Sequence, residues 1–371
     1  MNIAAAQPVF SSDAERVAHV RRVVRQAGDE LRERYPLLRH QDAIGAGIMA
    51  FSLVGMLGCG WLYAQGLMPW WLCIPLVALL TSLIHELEHD LIHLMYFRDR
   101  PWANRLMLWL GWAARPSTAS PFVRRRIHLH HHKFSGTATD LEEQTITNGE
   151  RWGLKRLLMT GDLGLAVVLR PLRMARLSAR FVKAQPVQTG AQRRAIAREL
   201  LTSYFPFTFI YQGLLLTYLI VHGAELLGPL LGWTPTWPAA LSAAMPWVNL
   251  LAVIWVLPNT LRTFCLHFIS SNMHYYGDVE ANNPVQQTQV FDRWWLWPLQ
   301  LFCFNFGSTH AIHHFVVGET FYVRQLTASK AHQALREVGV RFNDFGSFGR
   351  ANRYAMNPAP APAASAATFG T

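Results

Sequence analysis

The sequence predicts an all-α integral membrane protein, with four transmembrane helices in two hairpins and a helical cytosolic cap that carries the polar chemistry. Three observations lead there. The 371 residues are 51% apolar and only 15% charged, with a mean hydropathy of +0.12, which is too oily for an ordinary soluble domain. All 34 lysines and arginines fall within residues 1–42, 98–200 and 262–371, and none within 43–97 or 199–261. Those two bare stretches are also the most apolar. If each folds into a pair of spans, every basic segment lies on one side, the cytosolic one.

The elements follow in order. Ser11, Ser12 and Asp13 offer an N-cap for a helix running to about Arg34, with Val17, Val20, Val24 and Leu31 on one side and arginines on the other. Pro36 ends it. Residues 1–42 therefore read as a cytosolic amphipathic segment, not as a signal peptide, because no apolar core follows a charged start. The membrane unit covers residues 43–325, with spans at about 43–64, 69–93, 200–221 and 241–265. A crossing needs ~20 apolar residues. The second span reaches that length only if its helix continues through the histidines at its end. Pro206 is expected to kink the third span, and Pro246 and Pro258 the fourth. Residues 101–114 are apolar but too short to cross, so an interfacial helix is expected, and the basic stretch that follows suits helices lying on headgroups. Trp294, Trp295 and Trp297 read as interfacial anchors. Residues 326–371 form a cytosolic C-terminal segment whose Pro/Ala-rich end, 357–368, is expected to be disordered.

Composition excludes several classes. Cys59, Cys73, Cys265 and Cys303 lie in apolar sequence without a CxxC pair, so neither a disulfide framework nor a thiolate metal site is expected. The net charge of +11 suits an anionic leaflet or an acidic head group. Nucleic-acid binding would leave the apolar stretches unexplained.

The chain holds 16 histidines, most of them in short clusters. These are HELEH at 85–89, HLHHH at 128–132 and HAIHH at 310–314, with His274 in SSNMHYYG. His85, His89 and His93 are spaced i, i+4 and i+8, one face of a helix. The candidate ligands are His85, His89, His128, His131, His132, His274, His310, His313 and His314. Nine imidazoles exceed what one ion takes, so two metals are implied, of the kind that neutral nitrogen donors favour. His93 lies one turn beyond the expected pair, and His267 competes with His274 for one position. Ligating imidazoles need partners on their second nitrogen. Asp140 is the first choice, since HHKFSGTATD would fold it back under the second cluster; Glu86, Asp278 and His130 are the others. An acidic substrate head group would need cations, for which Arg124, Arg125, Arg126, Arg262 and Arg293 are candidates. The same arginines read equally well as inner-face topology signals.

In the order and spacing of these boxes the sequence resembles the membrane fatty-acid desaturase and hydroxylase superfamily over roughly residues 40–325. The resemblance implies two non-haem iron ions, O2 as co-substrate, and hydrogen abstraction from a fatty acid or fatty-acyl chain within the bilayer. It implies desaturase-type chemistry first. The alternatives are hydroxylation and oxidative decarboxylation of free fatty acids to terminal 1-alkenes, a branch to which HELEHDLIH and the short length look similar. Electrons would come from a separate ferredoxin, rubredoxin or cytochrome with its reductase, since no such domain is fused. One departure is Ser270, where the acyl-CoA desaturases have Asn; Asn272 is the expected substitute. Two rivals come from other classes. An intramembrane zinc protease would use HELEH with Glu86 as general base, but it leaves six histidines idle. A metal transporter would place its histidines inside the spans rather than beyond their ends.

Overall fold

The computed structural model describes residues 9–162, 165–184 and 189–356; the Pro/Ala-rich end lies outside them. The chain begins with α1 (Asp13–Arg34), α2 (Gln41–Ala64), α3 (Trp70–Ile92), α4 (Pro101–Ala114) and α5 (Pro121–Phe134). The short α6 (Leu141–Thr145) and α7 (Leu154–Met159) lead into α8 (Leu165–Ala184), α9 (Gly190–Thr202) and α10 (Phe207–Leu227). Then come α11 (Ala239–Leu251), one wide π turn at Ala252–Val256, and α12 (Leu257–Ser270). The chain closes with α13 (Pro284–Gln287), α14 (Trp297–Gln300), α15 (Phe306–Phe315), α16 (Phe321–Glu337) and α17 (Gly346–Gly349). Among the described residues the only sheet is a two-residue parallel ladder of β1 (Gln289–Val290) with β2 (Arg341–Phe342).

Four helices are long and apolar enough to cross a membrane: Gln41–Ala64, Trp70–Ile92, Phe207–Leu227 and the continuous Ala239–Ser270. The third differs from the sequence expectation of 200–221. Residues up to Thr202 belong to α9, which starts in a capping box of Thr189 and Gln192. Pro206 sits at the N-cap of α10, so it opens the helix instead of kinking it. A proline is tolerated there because the first N–H groups of a helix have no internal partner in any case. In the fourth, the π turn directly precedes Pro258, at the start of α12. The extra width of that turn accommodates a ring that lacks an N–H and would crowd the preceding turn.

α1 starts as expected, with Ser12 Oγ accepting from the Glu15 N–H at 3.3 Å. Its apolar side packs on the protein: Val20 and Val24 are buried with Ala331, Ala334 and Leu335 of α16. α4 is the short apolar helix anticipated, with Trp102, Leu106 and Trp109 exposed. Trp294, Trp295 and Trp297 are likewise exposed, as befits anchors in a lipid interface.

α3 organises the interior, packing against α2, α4, α5 and α12. Every residue from Ile84 to Ile92 is buried, including His85, Glu86, Glu88, His89 and Asp90. Burying so many ionisable groups in one run is costly unless each finds a partner. Finding those partners leads to the site.

Candidate metal centre

The histidines converge into two groups. The first gathers His89 and His93 from the end of α3, His128 and His132 from α5, and His313 from α15. The second gathers His131 from α5, His274 from the loop after α12, and His310 and His314 from α15. Within each group, one ligand atom per residue lies within 4.8 Å of all the others. Helical spacing explains the split. The i, i+4 pairs 89/93, 128/132 and 310/314 each stack on one face, while His131 and His313 point off that face to the neighbouring group. α5 and α15 thus each feed both groups.

The Nε2 atoms face one another closely. His93, His132 and His313 form a triangle with sides of 3.2, 3.1 and 3.0 Å. His132 lies 3.1 Å from His128, and His314 lies 3.0 Å from His274 and 3.1 Å from His310. Nitrogen donors ~2.1 Å from one ion sit about 3 Å apart when at right angles, so these spacings suit a shared cation. Hydrogen bonds alone do not satisfy the triangle, because one proton bridges two nitrogens and leaves the third lone pair aimed at its neighbours. The residues therefore fit a metal.

The second ring nitrogens carry the complementary feature. His131 Nδ1 meets Asp140 at 2.9 Å, His128 Nδ1 meets Glu142 at 2.8 Å, and His274 Nδ1 contacts Glu143 at 2.7 Å. Asp140 and Glu142 accept from Nδ1–H and so turn the Nε2 lone pairs of His131 and His128 inward, while Glu143 lies against His274. Asp140 also accepts from the N–H groups of Gly136 (3.1 Å) and Glu143 (3.3 Å), capping α6. That return depends on Gly136, whose φ is +76° and whose missing Cβ would lie 2.2 Å from the Tyr275 carbonyl oxygen. His131, Asp140 and Glu143 also approach one another as a third candidate group, through Nδ1. His313 departs from the pattern: its Nδ1 faces the Arg324 guanidinium at 3.2 Å, a donor where the others have an acceptor.

Burial, followed by the charge of neighbouring imidazoles and arginines, holds His128, His132, His310, His313 and His314 well below the ordinary imidazole range, and His93 at about 2. These are neutral donors at any physiological pH. At His131 burial also opposes charge, but the adjacent Asp140 outweighs it and raises the group to about 10.

The other expected residues take different places. His85 is buried outside both groups, and neither ring nitrogen has a hydrogen-bond partner among the described residues. It lines a cavity of about 160 Å³ together with His89, His128, His131, His274 and His310. His93, set aside by the sequence reading, caps α3 and joins the first group, because the ladder continues one turn farther than expected. His267 lines the cavity without entering a group. His130 lies 3.2 Å from Thr139 and against Phe134, away from the donors. Glu86 pairs with Arg324 at 3.4 Å and comes no nearer than 4.0 Å to His85, which enters no metal group, so HELEH does not assemble the zinc-protease arrangement. Asp278 accepts from the N–H groups of Tyr354 and Ala355 and ties down the C-terminal segment. Asn272 is engaged by Trp152 and the Phe268 carbonyl, while Ser270 lines the cavity.

Of the arginines, Arg124 lines the cavity, and Arg125 donates to the carbonyls of Ile92 and Leu91 at the end of α3. Arg126 pairs with Glu199 at the surface, Arg293 is exposed, and Arg262 is fully buried. Sequence reasoning passed over Arg115, Glu142, Glu143 and Arg324. Arg324 is buried between Asp90 (3.2 Å) and Glu86 (3.4 Å), and Asp90 also accepts from the Phe321 N–H at 2.7 Å, so the start of α16 is fastened to α3 beside the first group. The acidic run LEE directly after Asp140 was the available signal for the two glutamates.

Fold and site together define a helical protein of membrane type with paired polyhistidine groups compatible with metal. Residues 65–346 match the fatty acid desaturase family, and the chain belongs to that family. The family indicates an oxidoreductase, and acting on fatty-acyl chains fits it. No curated protein matches the chain in sequence.

Proposed function

We propose that the protein is an O2-dependent di-iron oxidase that attacks a C–H bond of a fatty-acyl chain, with desaturation as the first reaction to test. The supporting observation is the pair of histidine groups, five donors in one and four in the other. His89, His93, His128, His132 and His313 would hold one ion; His131, His274, His310 and His314 would hold the second. Iron in these positions supplies what no side chain can, activation of dioxygen and removal of hydrogen from an unactivated methylene. The chain's own residues do the rest. Asp140, Glu142 and Glu143 orient imidazoles, the Asp90–Arg324–Glu86 cluster fixes α3 against α16, and burial excludes water. The cavity beside His89 and His128 positions the acyl chain, and position decides which carbon reacts.

The distribution of basic residues supports cytosolic termini and a cytosolic site, which in a bacterial cell would mean the inner membrane. Electrons arrive from a separate ferredoxin, rubredoxin or cytochrome with its reductase. The test is to supply the iron-loaded protein with reductant, O2 and a panel of fatty acids, acyl thioesters and alkanes, and to analyse both lipids and headspace by mass spectrometry. The expected result is an O2-dependent unsaturated product; an alcohol or a terminal alkene would reassign the reaction within the same chemistry. No oxidised product from any substrate would contradict the proposal.

A further inference from the structure

We propose that Arg324 makes the two metal positions unequal: the second group takes its ion first and holds it, while the first group fills last and empties first. This rests on the oxidase reading above and adds to it an order of loading, with Arg324 as the positioning residue that sets it.

The second ring nitrogens carry the argument. An imidazole that binds an ion through Nε2 presents Nδ1–H on its other side, and an acceptor there makes it a better ligand. In the second group, two of the four imidazoles stand against carboxylates. His131 Nδ1 lies 2.9 Å from Asp140, and His274 Nδ1 lies 2.7 Å from Glu143. Asp140 is 0% exposed and Glu143 2%, and neither forms an ion pair with a lysine or arginine among the described residues. Their charge is therefore left to the imidazoles and the ion.

The first group is backed differently. Only His128 has a carboxylate within hydrogen-bond distance, Glu142 at 2.8 Å, and Glu142 is partly exposed and 3.9 Å from Arg124. His89 Nδ1 is 3.6 Å from Asp90, beyond a hydrogen bond. His313 Nδ1 meets Arg324 Nη1 at 3.2 Å. A guanidinium has donors and no acceptor, so it favours the tautomer of His313 that carries its hydrogen on Nε2 and cannot ligate. Arg324 is held in that position. Its Nη1 also donates to the Glu319 carbonyl at 2.7 Å and lies 3.2 Å from Asp90, and its Nη2 reaches Glu86 at 3.4 Å. Asp90 and Glu86 offset the charge of Arg324 without giving His313 an acceptor. Ligation through His313 therefore has to turn a hydrogen toward Arg324 or pull the guanidinium from Asp90. Five donors against four would favour the first group; the backing of the rings reverses that order.

The test titrates full-length protein in lipid nanodiscs with Fe(II), without oxygen, against a competing chelator. Wild type is expected to bind two equivalents in steps ~10–100-fold apart, the range for a change behind a ligating imidazole. His93→Ala should weaken the looser step and leave the tighter one unchanged, and His314→Ala should do the reverse. Arg324→Gln removes the cation and offers an amide oxygen, so the looser step should tighten ~10-fold even as the melting temperature falls. Arg324→Lys keeps the cation and should keep the gap. A residue that only fastens α16 to α3 predicts the opposite sign, with the looser step weakened further in Arg324→Gln. That result overturns the proposal, as do two equivalents of equal affinity in wild type or loss of the tighter step in His93→Ala. The wild-type and histidine titrations decide the order even if Arg324→Gln fails to fold. Saturation at one equivalent overturns the di-iron reading itself, and the order of loading with it.

Discussion

His85 and His93 are equivalent positions of one helical ladder, yet the structure gives them opposite fates, and replacing each with alanine separates them. His93 Nε2 stands 3.2 Å from His132 Nε2 and 3.1 Å from His313 Nε2, so His93→Ala removes one of five donors from the first group. Losing only a partner of a ligand's second nitrogen costs 10–100-fold in metal affinity, so losing the donor itself should cost at least ~100-fold, or ~2.8 kcal/mol. His85 donates to neither group, and its replacement should leave both affinities within about threefold. The assay is iron per polypeptide by plasma mass spectrometry after equilibration against a graded chelator series. Wild type and His85→Ala should hold two irons up to the same chelator concentration, while His93→Ala drops to one at a concentration ~100-fold lower. Iron loss from His85→Ala as ready as from His93→Ala, or wild-type retention by His93→Ala, would contradict this assignment of donors.

Asp140→Asn keeps the shape but weakens the acceptor on His131, and should lower affinity for one iron by ~10–100-fold in the same assay. Arg324→Met strips the partner from Asp90 and Glu86 in a fully buried cluster, so the unfolding free energy should fall by ~3–5 kcal/mol, read as a lower melting temperature in detergent; an unchanged melting point would contradict the packing described. Gly136→Ala places a methyl against the Tyr275 carbonyl at a positive φ and should reduce both stability and iron retention, whereas Gly153→Ala, which meets open space, should change neither. In the iron-free protein, six histidines have folded pKa values below the unfolded ~6.5, so below that pH the unfolded chain takes up protons that the fold refuses. His131, raised to about 10, acts in the opposite sense: its contribution is complete below ~6.5 and fades as pH rises toward 10. The net prediction is an apoprotein melting temperature that falls between pH 7 and 5, and a rise over that range would contradict it.

The helical class and four long apolar helices were legible because burial in lipid leaves a composition signal that needs no partner. Where the signal depended on partners, it faded. Residues Thr202 and Phe207 are both compatible with an apolar run, and only the choice of Pro206 as a helix start rather than a kink set the third helix at Phe207–Leu227. The boxes at 128–132 and 310–314 were readable because HxxHH has a fixed helical geometry. HELEHDLIH offered two overlapping i, i+4 pairs, and which pair meets α5 and α15 depends on how far α3 extends past the packing of α12. Asp278, a second choice after Asp140, stands close to His274 in sequence, but its carboxylate faces two backbone N–H groups instead of an imidazole. Arg115 was invisible for a similar reason: its role depends on Glu88, 27 residues earlier in the chain.

The central claim is that two ions occupy two separate imidazole groups. Anomalous diffraction at the iron edge from crystals of the iron-loaded protein tests it directly. Two peaks are expected, one enclosed by His89, His93, His128, His132 and His313 and one by His131, His274, His310 and His314, with none at His85. A single peak, or one coordinated by His85 and His89, would contradict it.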